Sequence, residues 1–430
     1  MNAYSTRGQA PSVSIADAIA AGLAPDGGLY LPEHWPQFST HDFDGAASLT
    51  EIATRFLTPF FAGDALQAAL PSICANAFAV TPPLAPFGKP NDYILELFHG
   101  PTAAFKDYGA AFLAGCLSAL PRGDKPLTIV VATSGDTGAA VGAAFHNKPG
   151  VRVAILYPDG RVAPRQAHQL GCFGDNVRAF RVDGSFDDCQ HLAKTLLADA
   201  EFRREVPLGS ANSISLGRLL PQAAYYAHAA LTHFRSTGHT LNFVIPTGNL
   251  GNALACLLAK RMGLPVGEVV LASNANTVLP DFFAGGKYTP QPSLATLANA
   301  MDVGAPSNFE RLQALYPDAT ELRRVLRAEA VSDDQIRATI VRTRDTRQQV
   351  ICPHTACAVD VLERLRACGE QGNWAVVSTA HPAKFPEVVE PLLGQEAPPP
   401  PALATMLTRA SHAEALPNDA ATLENTLRNW

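Results

Sequence analysis

The chain has 430 residues, 47% apolar and 17% charged, with a net charge of −6. That length exceeds what one hydrophobic core usually organises, so two or three structural units are expected. The composition excludes a disordered chain, and an acidic balance without a Lys/Arg-rich block excludes general affinity for nucleic acid, which leaves small molecules as the expected partners.

The opening "MNAYSTRGQAPSVS" lacks the apolar core of a secretory signal, and no apolar run is long enough to span a bilayer. Residues 1–80 read as mainly helical. "SIADAIAAGLAPDGGLYLP" is a short amphipathic helix ended by Gly22 and followed by a Pro25–Gly28 turn; "LTEIATRFLTPFFAGDALQAAL" continues in helical spacing. A proline-rich break, "TPPLAPFGKPND", then changes the pattern.

From residue 81 to 393 short apolar runs alternate with helix-length segments. The expected strands are 93–98, 127–134, 151–158, 177–184, 241–248, 268–275 and 374–379, mostly continuous apolar or β-branched runs suited to burial on both faces. Between them lie expected helices at 137–148, 162–171, 186–203, 215–235 and 250–263. Strand–helix alternation predicts open, mostly parallel α/β sheets, whose ligands sit at the carboxyl ends of strands. Residues 394–430 read as a stiff proline-rich connector, "APPPPALA", and one last amphipathic stretch. The chain carries no internal repeat.

The eight cysteines include no CxxC pair, and a reducing cytoplasm is the expected compartment. Cys352, His354 and Cys357 in "CPHTAC" give two thiols and one imidazole without a fourth ligand, so buried apolar thiols are favoured there over a metal site.

Three loops follow strands. In "ATSGDTGAA", Ser134, Gly135, Asp136 and Thr137 open an alanine-rich helix whose free N–H groups and hydroxyls suit an anion. An ordinary helix cap explains the same residues, and Asp136 brings a negative charge of its own. In "PTGNLGNALACLLAK", Gly248 and Gly251 allow close backbone approach just before a helix, the form of a cup for one terminal phosphate. Neither the Walker A nor the GxGxxG pattern is present. In "VVSTAHPAKF", Ser378 and Thr379 end the last strand, and His381 and Lys384 follow in its loop.

Lys106 lies between Phe105 and Asp107 in the otherwise apolar "ELFHGPTAAFKDYGAAF". A desolvated lysine, a phosphate cup, an anion-binding helix start and a strand-end hydroxyl together suit pyridoxal phosphate. By spacing alone Lys384 competes with Lys106 for the role of the reactive amine.

"LFHGPTAAFKDYG", "ATSGDTGAA", "ANSISLGRLLPQ", "PTGNLGN", "NAMDVGAPSN" and "STAHPAKF" occur in this order. The chain resembles the threonine synthases in these motifs, over nearly its whole length, including "STRG" and "APDGGLYLP" near its start. It is similar to their longer, bacterial and fungal form. The resemblance implies the type II pyridoxal-phosphate-dependent fold shared with tryptophan synthase β, with a mainly helical N-terminal domain added. It implies that Lys106 forms the Schiff base with the cofactor and shuttles protons. Gly248, Asn249, Leu250, Gly251 and Asn252 would cup the cofactor phosphate, and Thr379 would meet the pyridine nitrogen. Asp136 would neighbour the 3′-hydroxyl, where many relatives have Asn. Ser134, Gly135 and Thr137 would grip the substrate carboxylate, and Asn212, Ser213, Arg218 and Lys384 are candidates for the substrate phosphate. An exposed helical position is the competing reading of Arg218.

The implied reaction turns O-phospho-L-homoserine and water into L-threonine and phosphate. A phospho-lyase releasing 2-oxobutyrate from the same substrate and a non-catalytic binding relative are the alternatives, and monomer and homodimer stand equal. One departure is local. Arg161-Val162-Ala163-Pro164 stands where relatives more often carry Lys-Ile-Ser-Pro, which loosens the assignment of that loop alone.

Overall fold

The computed structural model describes residues 1–121 and 123–430. Its strands are β1 Asn2–Ser5, β2 Val13–Ser14, β3 Tyr30–Pro32, β4 Leu84–Pro86, β5 Asp92–Glu96, β6 Leu127–Ala132 and β7 Val151–Pro158. They continue with β8 Val177–Val182, β9 Leu208–Ser210, β10 Leu241–Pro246, β11 Val266–Ser273, β12 Arg327–Ala330, β13 Trp374–Ser378 and β14 Glu414–Leu416.

Two large sheets carry the fold. One runs β12-β11-β10-β13-β5-β4, parallel except for the antiparallel edge β4. The other runs β14-β8-β7-β6-β9 and is parallel throughout. Their inner strands are "LTIVVA", "VRVAILYP", "LNFVIP" and "WAVVS"-type segments, buried on both faces, as parallel sheets covered by helices require. All seven expected strands are present, and they are the inner strands of the two sheets.

In the two large sheets, the four strands that the sequence reading lacked, β4, β9, β12 and β14, are the four edges. Edge strands are short and polar, so they carry little hydrophobic signal. Residues 1–80 also differ from expectation, because β2-β1-β3 form a small antiparallel sheet beside the helices Ile15–Ala21, Leu49–Leu57 and Leu70–Ala77. The expected helix 186–203 is broken in two. Asp199 turns its side chain back to accept from the N–H groups of Glu201 and Phe202, both at 2.9 Å, and so caps a new helix.

The helix Leu216–Thr237 is buried along most of its length and ends at Gly238, whose φ of 73° no β-carbon residue adopts comfortably. It packs against the helices Leu49–Leu57, Lys106–Ala119 and Gly251–Arg261 and against β10 and β11, joining the N-terminal layer to that sheet. Beyond residue 394, β14 adds to β8 in parallel, with Arg178 holding Glu414 through two hydrogen bonds. The carboxyl ends of β6, β10 and β13 release the three loops that carry the candidate chemistry.

Candidate active site

The segments Ala103–Lys106 and Thr379–Lys384 lie side by side. Phe105 N–H donates to the Thr379 carbonyl at 2.9 Å, and His381 N–H donates to the Ala103 carbonyl at 3.0 Å. Both competing lysines are therefore delivered to one place. Lys106 opens the helix Lys106–Ala119 and stays partly accessible. Its amine has no hydrogen-bond partner among the described residues; the Phe105 ring lies 5.9 Å away. Burial pushes it down to about 8, with Asp136 opposing the shift and Arg218 and Lys384 adding to it.

Lys384 is fully buried, and its ammonium donates to the Thr102 carbonyl at 2.7 Å and pairs with Asp136 at 2.8 Å. Burial alone would raise the Asp136 carboxyl; the Lys384 and Lys106 charges outweigh it and hold the group well below the usual carboxylate range. Gln166 also donates to Asp136, at 3.1 Å, and accepts from Asn299 at 3.3 Å. Beside Lys106, the Asp107 carboxylate accepts from the N–H and hydroxyl of Thr102, at 2.9 and 2.6 Å. Burial lifts Asp107 to about 6 against those hydrogen bonds.

Two helix starts face this cluster. After β6, the buried Thr133 hydroxyl accepts from the N–H groups of Gly135 and Gly138, each at 3.0 Å. The helix Asp136–Phe145 thus begins with its loop tied internally, while the Ser134 and Thr137 hydroxyls have no protein partner among the described residues. Gly135 has φ 149°, and a β-carbon there would come within 2.8 Å of the Gln166 side chain.

After β10, Leu250 adopts a left-handed φ of 64° and the helix Gly251–Arg261 begins. The Asn249 side chain donates to Ser213 at 2.7 Å and accepts from the Ser307 N–H at 2.5 Å. The N–H groups of Gly248, Asn249 and Leu250 have no backbone acceptor among the described residues. A β-carbon on Gly248 would meet the Met301 backbone at 2.7 Å, so close packing also demands glycine there. The Asn252 side-chain oxygen accepts from Tyr225 and Tyr226 at 2.5 and 3.0 Å, and its Nδ2 has no partner among the described residues.

Arg218 is 2% exposed, which corrects the alternative of an exposed helical position. It donates to the Ala211 carbonyl at 2.7 Å, and its Nε has no partner among the described residues. Burial pushes its guanidinium down to about 10. Asn212 and Ser213 are half-buried in the loop just before its helix. The Thr379 residue is buried, and its hydroxyl has no protein partner among the described residues. Free donors at a helix start, a lone amine and an unpartnered strand-end hydroxyl together fit pyridoxal phosphate: the donors suit its phosphate, the amine its aldehyde and the hydroxyl its ring nitrogen.

The profile of the family described as "Pyridoxal-phosphate dependent enzyme" matches residues 89–382. Those described as "Threonine synthase N terminus" and "Threonine synthase, C-terminal" match residues 3–78 and 355–427. The threonine synthase of Escherichia coli is 38% identical over the full length of both chains. The chain belongs to the threonine synthase family. The crystal structure of pyridoxal-phosphate-bound threonine synthase from Brucella melitensis has a TM-score of 0.91 at 35% identity, covering 100% of this chain and 99% of that one. Threonine synthase from yeast gives 0.88 at 30% identity, covering 99% and 98%. As a threonine synthase the protein is a pyridoxal-phosphate-dependent lyase of α/β fold.

Several residues of this threonine synthase site escaped the sequence reading. Thr133, Thr102, Gln166 and Asp107 organise the loops from buried positions and belong to no spacing pattern. His354 carried a signal as part of "CPHTAC". Its Nε2 accepts from the Ala300 N–H at 3.1 Å, so the ring is neutral with its proton on Nδ1, and burial pushes it down to about 4. Cys352 Sγ meanwhile accepts from the Thr355 N–H at 3.4 Å, capping the helix Pro353–Ala367. His381 accepts from the Ala383 N–H at 3.1 Å and shapes its own loop.

Proposed function

We propose that the chain converts O-phospho-L-homoserine and water to L-threonine and phosphate, with Lys106 as its catalytic base. The single observation that carries this reading is a depressed, unpartnered amine set among two helix starts with free donors and a buried, unpaired edge of Arg218. Three anion sites suit the cofactor phosphate and the carboxylate and phosphate of the substrate, whereas an unphosphorylated amino acid would need only two.

In this reading Gly248, Asn249, Leu250, Gly251 and Asn252 hold the cofactor phosphate through backbone N–H groups. Thr379 meets the ring nitrogen, and Asp136 stands beside the ring hydroxyl. Bound pyridoxal phosphate supplies an electron sink that acidifies the C–H bonds of an attached amino acid. Ser134, Gly135 and Thr137 orient the substrate carboxylate with two hydroxyls and a helix start. Arg218, with Asn212 and Ser213, takes the substrate phosphate; a guanidinium edge suits two phosphate oxygens. Lys384 already spends two of its three N–H donors on Thr102 and Asp136, so one remains for that phosphate.

Lys106 removes the proton from substrate Cα, and burial, which lowers its affinity for protons, makes its neutral form more accessible than that of an ordinary lysine. A second proton loss at Cβ expels the phosphate from Cγ. A proton delivered to Cγ completes the methyl group and makes Cβ open to attack; water then adds at Cβ, and a proton returned to Cα completes the amino acid. The N-terminal block 1–80 and the tail 394–430 frame the catalytic block 81–393. The cytoplasm suits the chain, whose eight cysteines are all free thiols, and no helix among the described residues is long and apolar enough to cross a membrane.

Product analysis tests the reading. Purified protein given O-phospho-L-homoserine should release threonine and phosphate one for one. Phosphate matched by 2-oxobutyrate would make it a phospho-lyase, and no phosphate from cofactor-loaded protein would remove this substrate.

A further inference from the structure

Arg311 is fully buried in the short helix Phe309–Leu315, and no carboxylate lies within ion-pair distance of it among the described residues. Its three hydrogen bonds among the described residues all go to neutral oxygens. Nε donates to the Tyr30 carbonyl on β3 at 3.1 Å, Nη2 to the Ile214 carbonyl at 2.6 Å, and Nη1 to Asn308 Oδ1 at 2.6 Å. Asn308, also fully buried, donates onward to the Asn249 carbonyl at 2.9 Å, and Asn249 donates to Ser213. One guanidinium therefore touches the N-terminal sheet, the loop before Arg218 and, through one asparagine, the cup after β10.

The neighbouring residue repeats the connection. Glu310 accepts from the Thr6 hydroxyl at 2.5 Å and from Arg7 Nε at 3.3 Å, so two successive side chains of this helix are held by the N-terminal strand region. A buried cation satisfied only by neutral acceptors is costly in the free protein. Its cost falls if anions arrive nearby, and the two loops it grips are those read as phosphate sites.

We propose that Arg311 is a positioning residue that couples the N-terminal sheet to both phosphate-binding loops, with its charge matched when the phosphates bind. The inference rests on the reading of Gly248–Asn252 as the cofactor-phosphate cup. Its fork geometry sets the loops and its charge adds to their attraction for anions. An arginine that only filled space would affect phosphorylated and unphosphorylated ligands alike.

The test compares the binding of pyridoxal phosphate with that of pyridoxal, which lacks the phosphate, in the wild type, Arg311→Lys, Arg311→Met and Gly248→Ala. For Arg311→Met the expected weakening is about 10- to 100-fold, the scale of a lost charge-assisted hydrogen bond, and is confined to pyridoxal phosphate. Arg311→Lys keeps the charge without the fork and falls between. KM for O-phospho-L-homoserine rises in both while kcat changes less. Should Arg311→Met fail to fold, Arg311→Lys and Thr6→Val, which loosens the Glu310 contact, carry the same comparison. Equal weakening of both ligands, or none, overturns the coupling. If Gly248→Ala, whose β-carbon would meet the Met301 backbone and displace the cup, alone loses the preference for the phosphorylated ligand, the cup stands and the role of Arg311 falls. If Gly248→Ala leaves that preference intact, the cup itself is misassigned, and the coupling falls with it.

Discussion

The segments Ala103–Lys106 and Thr379–Lys384 are hydrogen-bonded neighbours, yet their two lysines end in opposite conditions. Lys384 is sealed from solvent and neutralised by Asp136, with a carbonyl for its second donor. Lys106 stays partly accessible and has no hydrogen-bond partner for its amine among the described residues. A cation that is buried and paired is a structural charge; one that is enclosed and unpaired gives up its proton and becomes a nucleophile and base. The difference between them comes from which side chain Asp136 reaches.

The strongest way to break this contrast is to remove each lysine. Lys106→Ala should abolish the visible absorbance of covalently held cofactor and cut threonine formation by about 10³-fold or more, with an unchanged circular-dichroism spectrum. If Lys384→Ala produced that spectral loss and Lys106→Ala did not, the roles would be reversed.

Lys384→Met should act on the fold first. It leaves Asp136 buried without its closest counter-charge, and a denaturant titration should show a loss of about 3–5 kcal/mol, the range for breaking a buried pair from one side. A loss no larger than that of a surface substitution would mean that the pair contributes little.

The pH dependence of cofactor capture sharpens the contrast further. Only the neutral amine attacks the aldehyde, so in cofactor-free protein the rate should rise with pH and level off above a midpoint near 8, where Lys106 titrates. An ordinary lysine would place that midpoint near 10.4. In Lys384→Met, with Asp136 still ionised, a charge that pushes Lys106 down is gone, so the midpoint should move upward. Stopped-flow absorbance across pH 6 to ~11 reads both, since the window must include the ordinary lysine value.

Lys125 supplies the smallest effect. It is exposed and donates to the Glu205 carbonyl at 2.9 Å. Lys125→Ala should stay within about 0.5 kcal/mol in stability, with wild-type turnover, as exposed sites generally do. A larger change would show that enclosure is not what separates the lysines.

Much of this molecule is legible in its residues. Seven apolar runs marked the inner strands, because a strand covered on both faces must be apolar throughout, and their order implied parallel sheets with chemistry at the carboxyl ends. The edges were silent for the converse reason: β9, β12 and β14 are three or four residues long and partly polar, and only a neighbouring strand makes them strands. The motif residues Gly248, Thr379 and Ser134 were visible because backbone freedom and hydroxyls at strand ends leave a local pattern.

What no local pattern holds is distance across the chain. Spacing alone left the reactive amine as Lys106 or Lys384 and placed Lys106 in an apolar stretch. The tertiary structure joined Asp136 to Lys384, left Lys106 unpartnered, and brought Arg311 from beyond residue 300 against Tyr30 and Ile214. A side chain's intrinsic chemistry is written in its identity, but its charge state depends on the few ångströms around it, and those are set by partners remote in the chain.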